Sequence, residues 1–265
     1  MAETIAVLSL KGGTGKTTTV RTLADVFRRI GLDVLAIDLD PQGNLSDYFD
    51  VPGDATPTMA DVLAGDAKAK AATHAGIIPA TPILAEVERG LSGKMGRELV
   101  LRRSLKEARK SHDIILVDCP PALGLLTING LVAADWALIS SEAQYFALQG
   151  VQGALDVIEQ AREYYNDDLE FLGVLMNIAD MRTTHSRDAF TQLSEAFGEK
   201  VFSTVIRASI AYAESAEKAL SILDYRPDLG TDYTALADEV LTRLGDEETR
   251  ERLSALRTEL YAQVG

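Results

Sequence analysis

Hydrophobic residues recur along this chain with two different periods. Nearly continuous apolar runs of strand type occupy residues 5–10, 34–37, 76–80, 113–118, 136–140, 171–177 and 200–205. Between these runs, apolar residues recur at helical spacing over residues 16–30, 59–63, 98–110, 124–129, 147–165, 184–197 and 228–244. This order predicts an α/β fold with a doubly wound, mostly parallel sheet that carries helices on both faces.

Composition narrows the class of protein. The 265 residues, 46% of them hydrophobic, suit one α/β domain or a small pair. Cys119 is the single cysteine, which excludes an internal disulfide framework and a cysteine-cluster metal site. The sequence has no signal-peptide pattern and no apolar run of roughly 18 residues, so we expect a cytoplasmic protein. The net charge of −14 argues against a constitutive, monomeric nucleic-acid binder.

A glycine-rich turn follows the first predicted strand, in the sequence LKGGTGKTTT over residues 10–19. Glycines let backbone N–H groups wrap a phosphate, and the helix that begins at Lys16 adds the positive end of its dipole. Lys16 would reach the β- and γ-phosphates, and the Thr17 hydroxyl would ligate Mg²⁺. The predicted nucleotide-binding residues are Gly12, Gly13, Thr14, Gly15, Lys16, Thr17 and Thr18. The alternative is an ordinary strand-to-helix turn that binds nothing.

The apolar run over residues 113–118 ends in Asp118. A buried strand that ends in Asp is the Walker B pattern, whose carboxylate holds Mg²⁺ directly or through water opposite the P-loop hydroxyl. We therefore predict a magnesium site that includes Thr17 and Asp118. Cys119 follows directly, and we interpret it as a small buried hydrophobic residue.

Three segments together resemble the ParA/MinD family of ATPases, which carry a deviant Walker A loop. They are KGGTGKT from Lys11, DLDPQGN from Asp38, and the Walker B run that begins at Asp113. The resemblance covers about residues 4–243 and is nearest to the short, Soj-like members of the family. It implies a P-loop NTPase fold, with Asp38 near the Mg²⁺ shell and Asp40 orienting or activating the attacking water. Helix capping or turn chemistry is the alternative role of these carboxylates.

The resemblance also implies a cycle. ATP and Mg²⁺ would bring two subunits face to face, with Lys11 of each reaching the other's phosphates. The dimer would bind non-specific DNA and become nucleoid-associated. Hydrolysis, stimulated by a ParB-like or other adaptor protein, would separate it. The output would be partitioning or positioning of a chromosome, plasmid or other cargo.

Contacts to the base and to DNA are expected in the second half of the chain. Asn177 and Asp180 form an N-x-x-D turn that reads the base in related P-loop proteins, although a strand-end Asn can equally cap a turn. Glu214 is retained from the family pattern, but residues 204–216, TVIRASIAYAESA, lack its proline and two of its arginines. Candidate DNA contacts are Arg182, Arg187, Arg207 and Lys218, and a solvated surface is the alternative for each. The basic face predicted over residues 98–110 is interpreted as a solvated helix face.

Two further interpretations concern the C-terminus and the function class. We expect residues 1–245 to form the ATPase domain, and residues 246–265 an amphipathic helix packed on the domain or on a dimer partner. A MinD-like, membrane-cycling ATPase is disfavoured, because this helix lacks the basic bias that anionic lipid demands. A positioner of a protein organelle or array stays open. An ATPase with a subunit-bridging iron–sulfur cluster would need paired cysteines in each chain. One cysteine per chain is too few for that class.

Overall fold

The structure is a computed structural model that describes residues 1–144 and 147–264. Strands β1–β7 are Glu3–Leu8, Val34–Asp38, Ile77–Ile78, Ile114–Asp118, Trp136–Glu142, Glu170–Ala179 and Val201–Arg207. Helices α1–α13 are Lys16–Arg29, Asn44–Tyr48, Met59–Ala64, Ile83–Leu91, Val100–Ser104, Ala108–Ser111, Leu125–Ala133, Ala147–Tyr164, Thr184–Phe197, Ala211–Glu217, Ile222–Tyr225, Pro227–Leu244 and Glu247–Val264. Short 3₁₀ turns cover Arg97–Leu99 and Gly198–Lys200.

The seven strands form one sheet in the order β3-β2-β4-β1-β5-β6-β7, and every neighbouring pair is parallel. Strand β1 lies in the middle, between β4 and β5. Because all strands run in the same direction, the loops that follow β1, β2, β4, β5 and β6 meet at one edge. The predicted α/β fold with a doubly wound parallel sheet is confirmed.

The core is divided between the two faces of the sheet. Ala6 and Leu8 of β1 belong to the cluster that packs under α3, α4, α7, α8 and α9. Ile5 and Val7, the alternating residues of the same strand, belong to the cluster under α1, α12 and α13. Successive strand side chains point to opposite faces, so a strand buried on both faces has the continuous apolar sequence seen here.

One predicted helix is broken in the structure. Residues 98–110 form a 3₁₀ turn, α5 and α6 instead of one continuous helix. Arg109 of α6 makes two hydrogen bonds to Asp135, with Nη2 at 2.7 and 2.8 Å from the carboxylate oxygens. Arg109 is therefore engaged in an ion pair at the start of β5 and is not part of an open basic face.

The C-terminal helix α13 packs along α12 with its apolar stripe inward. Leu253, Leu256 and Leu260 are all buried, with at most 8% of the side chain exposed. Its basic residues pair with acids, as in the contacts of Arg250 with Asp238 and Glu247. Among the described residues, no helix has both the length and the apolar content needed to cross a membrane.

Candidate nucleotide site

The glycine-rich loop between β1 and α1 leaves its backbone accessible. Gly13 and Gly15 have φ values of 77° and 82°, which favour glycine. A Cβ at Gly12 or Gly13 would meet nothing within 4 Å, whereas one at Gly15 would lie 2.6 Å from Asn177 Nδ2. The loop is thus open on its outer side and tightly packed on its inner side. No side chain of the described residues caps the N-terminus of α1, so its first N–H groups are available to an anion.

Lys16 is a buried cation at the start of α1. Its side chain is only 6% exposed, and Nζ donates to the Lys11 carbonyl oxygen at 3.3 Å. A buried ammonium group is unfavourable unless negative charge lies nearby. Asp118 supplies part of that charge, and an anionic ligand at the adjacent glycine-rich loop would supply more.

Asp118 and Thr17 meet beside this loop. The Thr17 hydroxyl donates to Asp118 Oδ2 at 2.7 Å, while Asp118 Oδ1 is buried and has no hydrogen-bond partner among the described residues. Burial raises the pKa of the Asp118 carboxyl, and the neighbouring Asp38 carboxylate raises it further. A hydroxyl and an under-coordinated carboxylate form a donor set that fits Mg²⁺, which takes few protein ligands and completes its shell with water and phosphate oxygens.

The Asp38 carboxylate differs from that of Asp118, because both of its oxygens accept hydrogen bonds. Its Oδ2 accepts from the Ser46 hydroxyl at 2.8 Å and from the Ser46 N–H at 3.0 Å, and its Oδ1 accepts from the Asp40 N–H at 3.0 Å. These bonds fix the loop that carries Asp40. The Asp40 side chain lines the cleft described below, and its Oδ1 accepts from the Gln42 N–H at 3.0 Å.

Lys11 lies at the exposed front of the loop. Its Nζ donates to Gln144 Oε1 at 3.0 Å, within the same chain. In this conformation Lys11 does not line the cleft that contains Lys16 and Thr17.

A cleft of about 670 Å³ opens over the loop. Its walls come from the P-loop, the Asp40 loop, the end of β6 and helix α10. The lining residues are Gly12, Gly13, Thr14, Gly15, Lys16, Thr17, Thr18, Asp40, Gln42, Asn44, Asp47, Tyr48, Pro121, Asn177, Ile178, Ser209, Tyr212, Ala213, Ala216, Glu217 and Tyr233. Tyr48 and Ser215 join two walls through a hydrogen bond of 2.7 Å between their hydroxyls.

Asn177 lies beneath the P-loop. Its Nδ2 donates to Thr19 Oγ1 at 3.0 Å and to Ser140 Oγ at 3.2 Å, and it reaches the Gly15 carbonyl oxygen at 3.5 Å. The side-chain N–H groups are therefore engaged in holding the loop. Ser140, which the sequence reasoning did not consider, also donates to the Thr14 carbonyl oxygen at 2.6 Å.

Two expected base contacts do not line the cleft. Asp180 is bound by Arg182, whose Nε and Nη2 each lie 2.8 Å from a carboxylate oxygen. This pairing holds the pKa of Asp180 at about 2. Glu214 accepts from the Tyr225 hydroxyl at 2.9 Å. Glu217, one turn along α10, faces the cleft instead.

All four candidate DNA contacts make hydrogen bonds to other groups of this chain. Arg182 binds Asp180, and Arg207 binds Asp232 with Nε 2.9 Å from Oδ2. Lys218 donates to the Tyr225 hydroxyl at 3.0 Å. Arg187 donates to the carbonyl oxygens of Met181 and Arg182 and to the Thr184 hydroxyl. The structure does not bring these four side chains together in the cleft.

Several lining residues were missed by sequence reasoning. They are Gln42, Asn44, Asp47, Tyr48, Pro121, Ile178, Ser209, Tyr212, Ala213, Ala216, Glu217 and Tyr233. For the residues in the loops after β2, β4, β6 and β7, the position at the cleft follows from the sheet topology, because the carboxyl ends of parallel strands share one edge. Tyr233 is different, since it reaches the cleft from inside α12 and no local pattern marks it.

The parallel sheet, the glycine-rich loop before α1 and the Thr17–Asp118 pair define a P-loop NTPase fold. A sequence family described as an AAA domain matches residues 2–171. The sporulation initiation inhibitor protein Soj of Bacillus subtilis is 36% identical over 249 residues, with 91% of this chain and 98% of that protein covered.

Two solved structures are also similar. The cobyrinic acid a,c-diamide synthase of Mycobacterium smegmatis, with bound ATP analogue and magnesium, is 35% identical with a TM-score of 0.75, covering 82% of this chain and 92% of that chain. The septum site-determining protein MinD of Pyrococcus horikoshii, complexed with Mg-ADP, is 26% identical with a TM-score of 0.73, covering 91% and 96%. The chain belongs to the ParA/MinD family of P-loop ATPases and is one of its Soj-like members.

Proposed function

We propose that this chain is a cytoplasmic ATPase that binds ATP with Mg²⁺, pairs with a second copy, and uses hydrolysis to partition or position cargo on DNA. One observation carries the ATP and Mg²⁺ part of the proposal: Asp118 Oδ1, which has no hydrogen-bond partner within residues 1–144 and 147–264, lies beside Thr17 at the start of α1. Relatives with bound ATP analogue or Mg-ADP support the choice of ligand.

The roles of the site residues follow from this arrangement. Gly12 to Thr18 hold the phosphates through backbone N–H groups, and Lys16 neutralises their charge. Thr17 and Asp118 hold the metal ion, and Asp38 orients the Asp40 loop. A Mg²⁺ ion held by Thr17 and Asp118 would supply positive charge that stabilises the phosphoryl group during its transfer. Asp40 accepts a hydrogen bond from the attacking water.

Lys11 has the role of the subunit-bridging residue. It is exposed, and among the described residues its Nζ bonds only to the neutral amide of Gln144, so the side chain can leave its own chain at low cost. Residues 1–245 act as the ATPase domain. The apolar stripe of α13 is covered by α12, which supports docking of this helix on its own domain in preference to a membrane.

Size-exclusion chromatography with light scattering tests the proposal directly. The unmodified chain should be monomeric with ADP and dimeric with a non-hydrolysable ATP analogue. Lys16→Ala should bind neither nucleotide, whereas Lys11→Ala should bind ATP yet stay monomeric. Lys94→Ala, which changes an exposed lysine that does not line the cleft, is the matched control and should dimerise normally. A dimer of Lys11→Ala with the analogue would refute the bridging role.

A gel shift on random duplex DNA tests the proposed DNA binding. Binding should require ATP and be absent with ADP. Sedimentation with anionic vesicles and ATP should leave the protein in the supernatant. Vesicle binding without DNA binding would favour the membrane-cycling class instead.

A further inference from the structure

The Ser140 side chain lies between the sheet and the glycine-rich loop. Leu8, the last residue of β1, pairs with Ile139 of β5, so Ser140 is the next residue of β5, at the point where the chain leaves β1 for the loop. Leu138 belongs to the cluster under α1. Side chains two residues apart on a strand share a face, so Ser140 points toward the face that α1 covers. It is 1% exposed and does not line the cleft.

The two hydrogen bonds of the Ser140 hydroxyl fix the direction of its proton. Asn177 Nδ2 donates to Ser140 Oγ at 3.2 Å, and an amide nitrogen of this kind can only donate. The hydroxyl therefore accepts there, and its own proton goes to the Thr14 carbonyl oxygen at 2.6 Å. Asn177 is buried and is held in turn by its bond to Thr19 Oγ1. The bond from Ser140 to the loop is thus buried and has a defined polarity.

The Thr14 carbonyl group and the Gly15 N–H belong to the same peptide unit. In a planar trans peptide these two groups point in opposite directions. Because Ser140 holds the carbonyl oxygen toward β5, the Gly15 N–H points away from β5. Gly15 lines the cleft, so this N–H is among the donors that an anion at the loop can use.

The covalent structure of the loop allows this peptide unit to rotate. Rotation changes ψ of Thr14 and φ of Gly15, and glycine adopts positive and negative φ about equally readily. The φ of Gly15 is 82° here. If the unit turned over, the Thr14 carbonyl oxygen would take the place of the N–H and would present partial negative charge to an anionic ligand. The hydrogen bond from Ser140 opposes this exchange.

On the basis of the proposed function, we infer that Ser140 is a positioning residue for phosphate binding, whose hydroxyl keeps the Gly15 N–H directed at the phosphate groups of bound ATP. Ser140 acts through the loop, because its own side chain does not line the cleft. Loss of the hydroxyl should therefore weaken binding through the phosphates, whether or not a nucleoside is attached to them.

Isothermal titration with MgATP and with magnesium tripolyphosphate tests this assignment. Ser140→Ala should bind both about tenfold more weakly, because a hydrogen bond from a backbone N–H to a charged phosphate is lost. Ser140→Thr keeps the hydroxyl and should restore the binding of both. Ser104→Ala is the matched control. It removes a serine hydroxyl that donates to the Val100 carbonyl oxygen at 2.9 Å, away from the cleft, and both affinities should be unchanged.

The amide NMR signal of Gly15 distinguishes positioning from a purely structural role. In the isotope-labelled unmodified chain, this signal should move downfield when magnesium tripolyphosphate binds, because the N–H then donates to a charged acceptor. The shift should be lost in Ser140→Ala and should return in Ser140→Thr. Ser140→Cys keeps a side chain of similar size with a weak donor, and it replaces Ser140→Ala if that variant does not fold.

Two results would overturn the assignment. One is an unchanged affinity of Ser140→Ala for tripolyphosphate, with only the melting temperature lowered. The other is weaker binding with a Gly15 signal that still shifts as it does in the unmodified chain. If the unmodified chain bound neither MgATP nor magnesium tripolyphosphate, the proposed function itself would fail.

Discussion

The carboxyl of Asp118 is buried, and one of its two oxygens has no hydrogen-bond partner in the part of the chain that the structure describes. Replacing it by the isosteric Asn keeps an oxygen for the Thr17 hydroxyl and removes a charge that burial disfavours. We expect Asp118→Asn to lower Mg²⁺-dependent ATP turnover at least ~100-fold. In EDTA its free energy of unfolding should rise by about 1 kcal/mol.

Urea unfolding and steady-state hydrolysis measure these two effects. Their opposite signs distinguish a metal ligand from a structural carboxylate, since loss of a structural carboxylate would lower both stability and activity. An Asp118→Asn variant with normal turnover would exclude the carboxylate from the metal site.

Asp40 lines the cleft on a loop that is held in place by bonds to Asp38. We expect Asp40→Ala to bind ATP normally and to hydrolyse it roughly 100-fold more slowly, because general-base residues contribute about this much. Asp47→Ala is the matched control, since Asp47 is another carboxylate of the same cleft. Single-turnover hydrolysis should be normal for the control. Equal losses in both variants would indicate a general electrostatic effect.

At the level of single residues, the sequence predicted what depends on local motif chemistry. Residues 12–18 line the cleft, Asp118 meets Thr17, and Asp40 faces the cleft as expected. The roles of these residues stay predictions. Glu214 and Asp180 were harder, because the direction of a side chain on a short helix or in a turn depends on which hydrogen-bond partner it takes. Tyr225 holds Glu214 and Arg182 holds Asp180.

At the level of elements, Arg243 of α12 ties together the strands β6 and β7. Its guanidinium donates to four carbonyl oxygens, those of Leu172, Glu199, Lys200 and Val201, at 2.7–3.1 Å. It also stacks over Phe202, with Cζ 3.8 Å from the ring centroid. We expect Arg243→Ala to lower the free energy of unfolding by about 2 kcal/mol, because it leaves the part-buried carbonyl groups of Leu172 and Val201 unpaired and removes the stacking on Phe202.

Arg252→Ala is the control for that measurement. Arg252 pairs with Glu248 on an exposed helix face at 3.4 Å, and such pairs contribute less than ~1 kcal/mol. Denaturant unfolding should give a clearly lower midpoint for Arg243→Ala than for Arg252→Ala. Equal midpoints would show that the carbonyl groups find other partners.

Segments with a long hydrophobic pattern of helical period could be predicted as helices, but the points at which such helices are interrupted could not. Helices α1, α9 and α12 lie within a few residues of their predicted bounds, since each has a long amphipathic pattern and a glycine after its end. The segment over residues 98–110 has a helical pattern too, yet residues 105–107 interrupt it between α5 and α6. Arg109 of α6 bonds to Asp135, and a long-range ion pair of this kind leaves no signal in the local sequence.

At the level of the whole molecule, net charge conflicts with DNA binding. Each chain carries −14, so pairing two chains doubles the repulsion, and contact must depend on local cations. Among the four candidates, Arg187 donates to carbonyl and hydroxyl oxygens, whereas Arg207 is held by the Asp232 carboxylate. Arg187 therefore has more charge available to a phosphate than Arg207 has.

We expect Arg187→Ala to weaken ATP-dependent binding to random duplexes uniformly, and to reduce the slope of log affinity against log salt by about 1 per chain. Arg207→Ala should change that slope little, because its charge is already neutralised by Asp232. Fluorescence anisotropy between 50 and 200 mM salt, about the range over which phosphate contacts weaken most visibly, measures both slopes. An unchanged slope for Arg187→Ala would place the DNA-binding surface elsewhere on the dimer. A flat salt dependence of the unmodified protein would mean that phosphate contacts do not drive the association at all.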